Sequence, residues 1–281
     1  MFAVNELKAA FKRYNFFPKK YLGQNFLVDG DVIEDIITAC GFTESDLVME
    51  IGAGLGALTV RLAREVKSVV AIEKDRNICM ALGDILKEFR NVKLICDDFL
   101  EVNLERALAV YPRKSKVIGN LPYYITTPII EKLIGSRHNF ESIFITVQKE
   151  VAERICANPG GKDYGSLSCF VQFYMRPRIL LDIGAGAFYP KPEVDSSFVE
   201  LAILEKPSVQ VNDAEKFFAV VRAGFGQRRK TLLNSLLSSE TIKLDKPALA
   251  ELLKEIGIDP NIRAERLSLE EFARIANAII S

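Results

Sequence analysis

Two short stretches of this chain carry residues that could do chemistry. The first is Glu50-Ile51-Gly52-Ala53-Gly54-Leu55-Gly56, with glycines at alternate positions. Glycines so spaced let a backbone turn sharply and approach a ligand closely, which matters most where a strand feeds a helix whose free N–H groups face that ligand. The dinucleotide fingerprint sets its third glycine three residues after the second; here Gly56 follows Gly54 by two. Glu50 would repel a pyrophosphate, yet it suits a ligand bearing an ammonium group. Loop and acid together favour S-adenosylmethionine (SAM) over a nicotinamide dinucleotide. Glu73 lies 21 residues after Gly52, where a carboxylate can accept from both hydroxyls of a ribose. An acid opening a helix beside its positive dipole end would look the same. Asp98, in Ile95-Cys96-Asp97-Asp98-Phe99, can accept from the cofactor's adenine amine, and Asp97 or Asp98 can equally cap the next turn.

The second stretch is Gly119-Asn120-Leu121-Pro122-Tyr123-Tyr124. The exocyclic N6 of adenine is a poor nucleophile because its lone pair is delocalised into the ring. Methylating it calls for acceptors that bind the amine hydrogens and aim the lone pair at a methyl donor. Asn120 supplies a side-chain oxygen, and a backbone carbonyl beside Pro122 supplies another on a stiff segment with one N–H donor fewer. Tyr123 offers a face on which an extruded base can stack. In isolation the same residues would serve as a strand-ending turn with an aromatic anchor; placed after a SAM-type loop, they read as the catalytic tetrapeptide Asn120–Tyr123. A second glycine run, Asp182-Ile183-Gly184-Ala185-Gly186, is a decoy, since Phe188-Tyr189-Pro190-Lys191-Pro192 follows it where a helix would be needed.

The pattern around these stretches alternates strands and helices. Strands are expected at 47–51, 68–72, 92–95, 116–118 and 142–147, with helices at 31–40, 58–66, 76–89 and 128–134 between them. That alternation predicts an α/β fold, a Rossmann-like parallel sheet with helices on both faces. Residues 167–174, 178–183 and 197–204 read as strands that finish the sheet with an antiparallel edge pair. From Lys206 the pattern is helical, at 214–224, 229–237, 247–256 and 269–280. The division expected is a catalytic domain over 1–205, with a basic N-terminal extension, and a small all-α domain over 206–281.

The bulk composition is that of an ordinary globular chain: 281 residues, 49% hydrophobic and 26% charged. No run approaches the roughly 18 apolar residues of a membrane span, and charged residues interrupt the N-terminal segment, so a cytoplasmic protein without a membrane partner is expected. Cys40, Cys79, Cys96, Cys156 and Cys169 are scattered and His138 is the single histidine, a set that predicts reduced thiols and no metal site. Net charge is zero, so contact with a polyanion would depend on where charge is placed. Lys8, Lys12, Arg13, Lys19 and Lys20 against Glu6 make residues 1–20 basic, and Arg228-Arg229-Lys230 forms a second basic run. Either can contact phosphates; a frayed tail or a solvated helix face would look alike. Lys149, Glu150, Glu153 and Arg154 read as surface pairs on a helix.

These residues resemble those of the ribosomal RNA adenine dimethyltransferases over nearly the whole length. The likeness takes in residues 22–29 (Leu-Gly-Gln-Asn-Phe-Leu-Val-Asp), the glycine loop, Glu73, Asp98, the tetrapeptide, 148–154 (Gln-Lys-Glu-Val-Ala-Glu-Arg), 188–196 (Phe-Tyr-Pro-Lys-Pro-Glu-Val-Asp-Ser) and 225–232 (Phe-Gly-Gln-Arg-Arg-Lys-Thr-Leu). The resemblance implies that Asn25 and Leu27 contact SAM, with Gly52, Gly54, Glu73, Asp98 and Asn120 completing its site. It makes Phe188 a second aromatic wall opposite Tyr123, and it moves Arg228, Arg229 and Lys230 toward RNA. The implied substrate is a pair of adjacent adenosines in a hairpin loop near the 3′ end of small-subunit (16S) rRNA, each dimethylated at N6 within a pre-30S particle by a monomeric enzyme. Tyr124, where relatives often carry Asn, and the neutral total charge depart from the family pattern.

Other readings share parts of this pattern. A large-subunit rRNA adenine dimethyltransferase of the antibiotic-resistance type usually carries Ile where this chain has Leu121. A DNA adenine methyltransferase has a different tetrapeptide, and an NAD-dependent oxidoreductase fails on the glycine spacing. A non-enzymatic RNA- or DNA-binding factor on the same scaffold would not need Asn120 and the cofactor positions intact.

Overall fold

The computed structural model describes residues 4–18, 23–109, 111, 113–239 and 242–280. Lys19, Lys20 and Leu22 therefore lie outside the described residues. A helix α1 (Val4–Arg13) and a two-residue strand β1 (Phe26–Leu27) open the chain. There follow α2 (Gly30–Cys40), β2 (Leu47–Ile51), α3 (Thr59–Glu65), β3 (Ser68–Glu73), α4 (Arg76–Ile85), β4 (Val92–Cys96), α5 (Leu104–Leu108), β5 (Ser115–Asn120), α6 (Thr126–Gly135) and β6 (Phe140–Gln148). Two helices, α7 (Lys149–Cys156) and α8 (Ser166–Tyr174), precede β7 (Met175–Ile183), β8 (Phe188–Tyr189) and β9 (Ser196–Ile203). The chain ends in α9 (Ala214–Phe225), α10 (Leu232–Leu237), α11 (Lys246–Glu255) and α12 (Leu269–Ile280).

Seven strands form one sheet in the order β4-β3-β2-β5-β6-β9-β7. Neighbours from β4 through β6 are parallel, and β9 runs antiparallel to β6. All five residues of β2 are buried, as expected for a central parallel strand covered on both faces. Two helices that flank the site begin where an aspartate satisfies their free N–H groups: Asp29 accepts from Asp31 and Val32 N–H, and Asp75 from Asn77 and Ile78 N–H. Such a cap contributes about 1 kcal/mol.

The chain divides into two compact units, residues 1–152 with 178–203 and residues 153–177 with 204–281. The expected boundary at 205/206 falls close to the last crossing, but the helical unit also recruits residues 153–177. Residues 167–174, expected as a strand, form α8 instead. Leu167, Phe170, Val171 and Tyr174 do fall at helical spacing, yet in so short and apolar a run periodicity does not separate the two states. Packing decides: Phe173 is buried in the second unit and stacks on Phe217 with ring centroids 4.8 Å apart, inside a core that includes Val221, Leu236, Leu253 and Phe272. Burying each such side chain contributes about 1.5–3 kcal/mol.

The N-terminal extension is also ordered. Leu7 and Phe11 from α1, with Phe16, are buried against Leu55, Ile78 and Ala81, so the exposed Lys8, Lys12 and Arg13 ride on a packed helix. The helix expected from Arg229 starts only at Leu232, which leaves Arg228–Lys230 on the turn before it.

Candidate active site

The sheet order reverses between β2 and β5, the place where open α/β sheets form a crevice beyond their carboxyl ends. There Ile51 of β2 stands opposite Gly119 of β5. A Cβ at Gly119 would lie 3.0 Å from the Ile51 carbonyl oxygen and 3.1 Å from Ile51 Cβ, so a larger residue would force the two strand ends apart. Held this close, the glycine loop after β2 and the tetrapeptide after β5 border one cavity of about 570 Å³. Asn25, Leu27, Gly52, Gly54, Glu73, Asp98 and the whole tetrapeptide Asn120–Tyr123 line it. Residues spread over nearly a hundred positions of sequence thus meet at one site.

Phe188 does not join them. It is 3% exposed, packed in the core of its unit, and is not among the residues lining the cavity. Its backbone pairs with Leu27, and Tyr189 with Phe26, which fixes β1 at the rim. Tyr124, half exposed, does line the cavity.

The tetrapeptide is held by bonds that leave its two acceptors open. Asn120 Nδ2 donates to the Asn25 carbonyl at 2.8 Å, which fixes the orientation of the amide. The Leu121 N–H donates to the Thr146 carbonyl at 3.1 Å, and the Pro122 carbonyl accepts from Ile125 N–H. Neither Asn120 Oδ1 nor the Leu121 carbonyl accepts a hydrogen bond from any described residue. Tyr123 is half-buried, its hydroxyl 2.7 Å from Ser196 Oγ, and burial raises its pKa against the opposing pull of that bond. Ser196 holds the ring by its hydroxyl end.

Three carboxyls surround the glycine loop in different states. Glu73 ends β3 and is buried; its Oε2 accepts the Gly54 N–H at 3.0 Å and its Oε1 the Asp75 N–H at 2.9 Å. Burial raises its pKa while these backbone bonds oppose the rise. Each oxygen keeps a second lone pair for a ligand. Glu50 is fully enclosed, with Thr59 Oγ1 donating to its Oε2 at 2.6 Å, and burial pushes its carboxyl up to about 8. Asp98 is more exposed. Burial tends to raise it, but the Lys74 ammonium at 2.6 Å and the Leu100 N–H at 3.0 Å hold it below the usual carboxylate range.

Sequence reasoning did not single out Thr59, Lys74 or Ser196 as partners. Thr59 lies nine residues beyond Glu50 and Lys74 is 24 residues before Asp98; only folding brings each pair together. Arg228, Arg229 and Lys230 lie in the second unit. There Arg228 donates to the Lys162 carbonyl and lies 4.0 Å from Glu265, while Arg229 and Lys230 are exposed and make no side-chain ion pair among the described residues.

Comparison with known proteins finds relatives along nearly the whole chain. The chain is 45% identical over 276 residues to the ribosomal RNA small subunit methyltransferase A of Shouchella clausii, covering 97% of this chain and 93% of that protein. A relative of the same description from Pelotomaculum thermopropionicum is 45% identical over 277 residues, covering 96% and 94%. Among solved structures, a dimethyladenosine transferase from Plasmodium falciparum superposes with a TM-score of 0.73 at 26% identity, over 89% of this chain and 95% of that one. The 23S rRNA methyltransferase ErmE superposes with a TM-score of 0.69 at 22% identity, over 92% and 100%, which shows the shared fold and does not choose between ribosomal subunits. The profile of one family spans residues 15–281, and with the site built as described, the chain belongs to the ribosomal RNA adenine dimethylase family.

Proposed function

We propose that this protein transfers methyl groups from SAM to the N6 atoms of two adjacent adenosines in a hairpin loop near the 3′ end of small-subunit rRNA, dimethylating each within a pre-30S particle. One observation carries the reading: Asn120 is pinned through its nitrogen to Asn25, which leaves the amide oxygen and the neighbouring Leu121 carbonyl unclaimed at the cavity. Two such acceptors suit the two hydrogens of an adenine amine. The choice of the small subunit rests on the names and closeness of the 45% identical relatives.

The residues present fit SAM. A cavity of about 570 Å³ falls within the roughly 300–1,000 Å³ usual for small-ligand sites. Glycine backbone forms one wall, Glu73 suits ribose hydroxyls, Asp98 suits the adenine amine, and Asn25 and Leu27 close the other side. Glu50, enclosed beside the loop, favours a cationic neighbour. When bound, SAM supplies an electrophilic methyl on a sulfonium.

The protein's own part is to bind and aim. Tyr123 takes the face of the flipped base, and Asn120 Oδ1 and the Leu121 carbonyl accept from N6, drawing it toward tetrahedral geometry with its lone pair directed at the methyl. Pro122 stiffens the segment that carries both acceptors. The amine becomes cationic on attack and loses its proton readily, so no base of shifted pKa is needed. After one transfer a single N–H remains, and one of the two acceptors suffices to aim the second. Phe188 acts on the pocket through the strand that holds Phe26 and Leu27. Within the run Arg228–Lys230, the exposed side chains of Arg229 and Lys230 are the ones left to meet phosphates.

The test is incubation with labelled SAM and either undermethylated small subunits or large subunits, followed by mass spectrometry of the digested RNA. N6,N6-dimethyladenosine in small-subunit RNA alone is the expected result. Label in large-subunit RNA would move the assignment to the resistance-type enzymes, and no label in either would favour a binding factor.

A further inference from the structure

Lys132 lies on α6 and does not line the cavity. Its ammonium nevertheless gathers three backbone carbonyls from the loop after β4: Phe99 at 2.7 Å, Leu100 at 2.8 Å and Val102 at 2.7 Å. An ammonium has three donors and no acceptor, so this one is fully used, and it also sits 5.2 Å from the centre of the Phe99 ring. Carbonyls of one short loop do not converge by themselves, because their aligned dipoles repel. A cation at their focus is what makes the arrangement favourable. The same loop carries Asp98, whose own carbonyl accepts from Glu101 and Val102 N–H and whose side chain accepts from Leu100 N–H.

The other end of α6 is tied to the tetrapeptide. Thr126 Oγ1 donates to the Pro122 and Tyr123 carbonyls, both at 3.3 Å, and Ile129, on the turn between, lines the cavity. One helix therefore grips the segment that aims the base and, through Lys132, the loop that presents Asp98. Lys74 also holds Asp98, but it is 64% exposed, and exposed pairs of this kind add little order. The burial of Lys132 lowers its pKa, with the acids Glu101, Asp98 and Asp97 opposing.

We propose that Lys132 is a positioning residue for cofactor recognition: by clamping the carbonyls of Phe99, Leu100 and Val102 it holds Asp98 where the adenine amine of SAM is read. The inference rests on the SAM reading of the cavity given above, and it adds a residue that never touches the ligand. Arginine cannot replace it, because a planar fork does not match three carbonyls converging on a point.

The experiment compares wild type with Lys132→Met, Lys132→Arg and Asn120→Ala. It measures the Kd for SAM by calorimetry, kcat at saturating SAM, and hydrogen exchange of the amides of residues 98–102 without ligand. Both Lys132 variants should bind SAM about tenfold more weakly, a change of about 1.4 kcal/mol, with kcat within about twofold of wild type. Exchange should quicken at Leu100, Glu101 and Val102 and not in β2 or β3. Asn120→Ala should show the reverse, with kcat down by about a hundredfold or more and binding affected less. An unchanged Kd in Lys132→Met, or equal losses in Kd and kcat together with exchange rising across the whole unit, would overturn the clamp. Wild-type protein failing to bind SAM would instead fault the earlier reading, because the exchange measurement tests the clamp without any ligand.

Discussion

Glu50 shows how much a single residue's state depends on its enclosure. In the sequence it is an acid in front of a glycine loop; in the fold it is a buried carboxyl pushed up to about 8, with Thr59 as its hydrogen-bond donor and Glu73 nearby disfavouring a second negative charge. Its folded pKa exceeds its unfolded value of about 4.3. The stability it contributes is therefore whole below that lower value and is lost as pH rises through about 8. Glu50→Gln keeps an oxygen for Thr59 and has no charge to bury. Its urea midpoint should fall less than that of wild type between about pH 5 and 8. A wild-type midpoint that held steady over the same range would contradict the assigned burial. Residue type and spacing could single out Asn120, Glu73 and Asp98 as candidates, and the fold brings all three to one cavity. Their partners could not be singled out in that way, because a hydrogen bond between residues tens of positions apart leaves no local trace.

Among the elements, the turn from β2 into α3 shows the tightest fit. Gly56 has φ +86°, and a Cβ there would stand 2.9 Å from Leu82 Cδ1, a side chain fully buried in the core. Gly56→Ala combines a left-handed backbone cost of about 1–2 kcal/mol with overpacking of similar size. The expected destabilisation is about 2–4 kcal/mol, measured as a shift of the denaturant midpoint, and a shift below about 0.5 kcal/mol would mean that the loop relaxes freely. Most strands and helices of the first unit follow their sequence periodicity to within a few residues, since each has one face or both committed to the sheet. The misread element, α8, lies where that rule weakens. It is apolar nearly all round, and its state is set by Phe217 and the other aromatic side chains of the helical unit.

At the scale of the molecule, the chain folds as two compact units. The first unit contains the whole cavity. The second contributes none of the residues that line it, and in its basic turn Arg228 is engaged with Lys162 and Glu265. Replacing Arg229 and Lys230 together by Ser should weaken binding to undermethylated small subunits. The slope of log affinity against log salt should become shallower by about 1–2, while the Kd for SAM stays unchanged. An unaltered salt slope would remove these two residues from the RNA-binding surface.

The sequence by itself determined the alternating strands and helices of the sheet, the switch-point loop, the tetrapeptide and the family, because these depend on local periodicity and on residue types at fixed short spacings. Tertiary structure alone decided which atoms of those residues are spent and which are free. It turned Asn120 so that its nitrogen is committed and its oxygen open, set Phe188 in the core instead of the cavity wall, and drew residues 153–177 into the helical unit. Each of these outcomes is a competition between distant groups for the same burial or the same hydrogen bond, and distance along a chain carries no record of who wins.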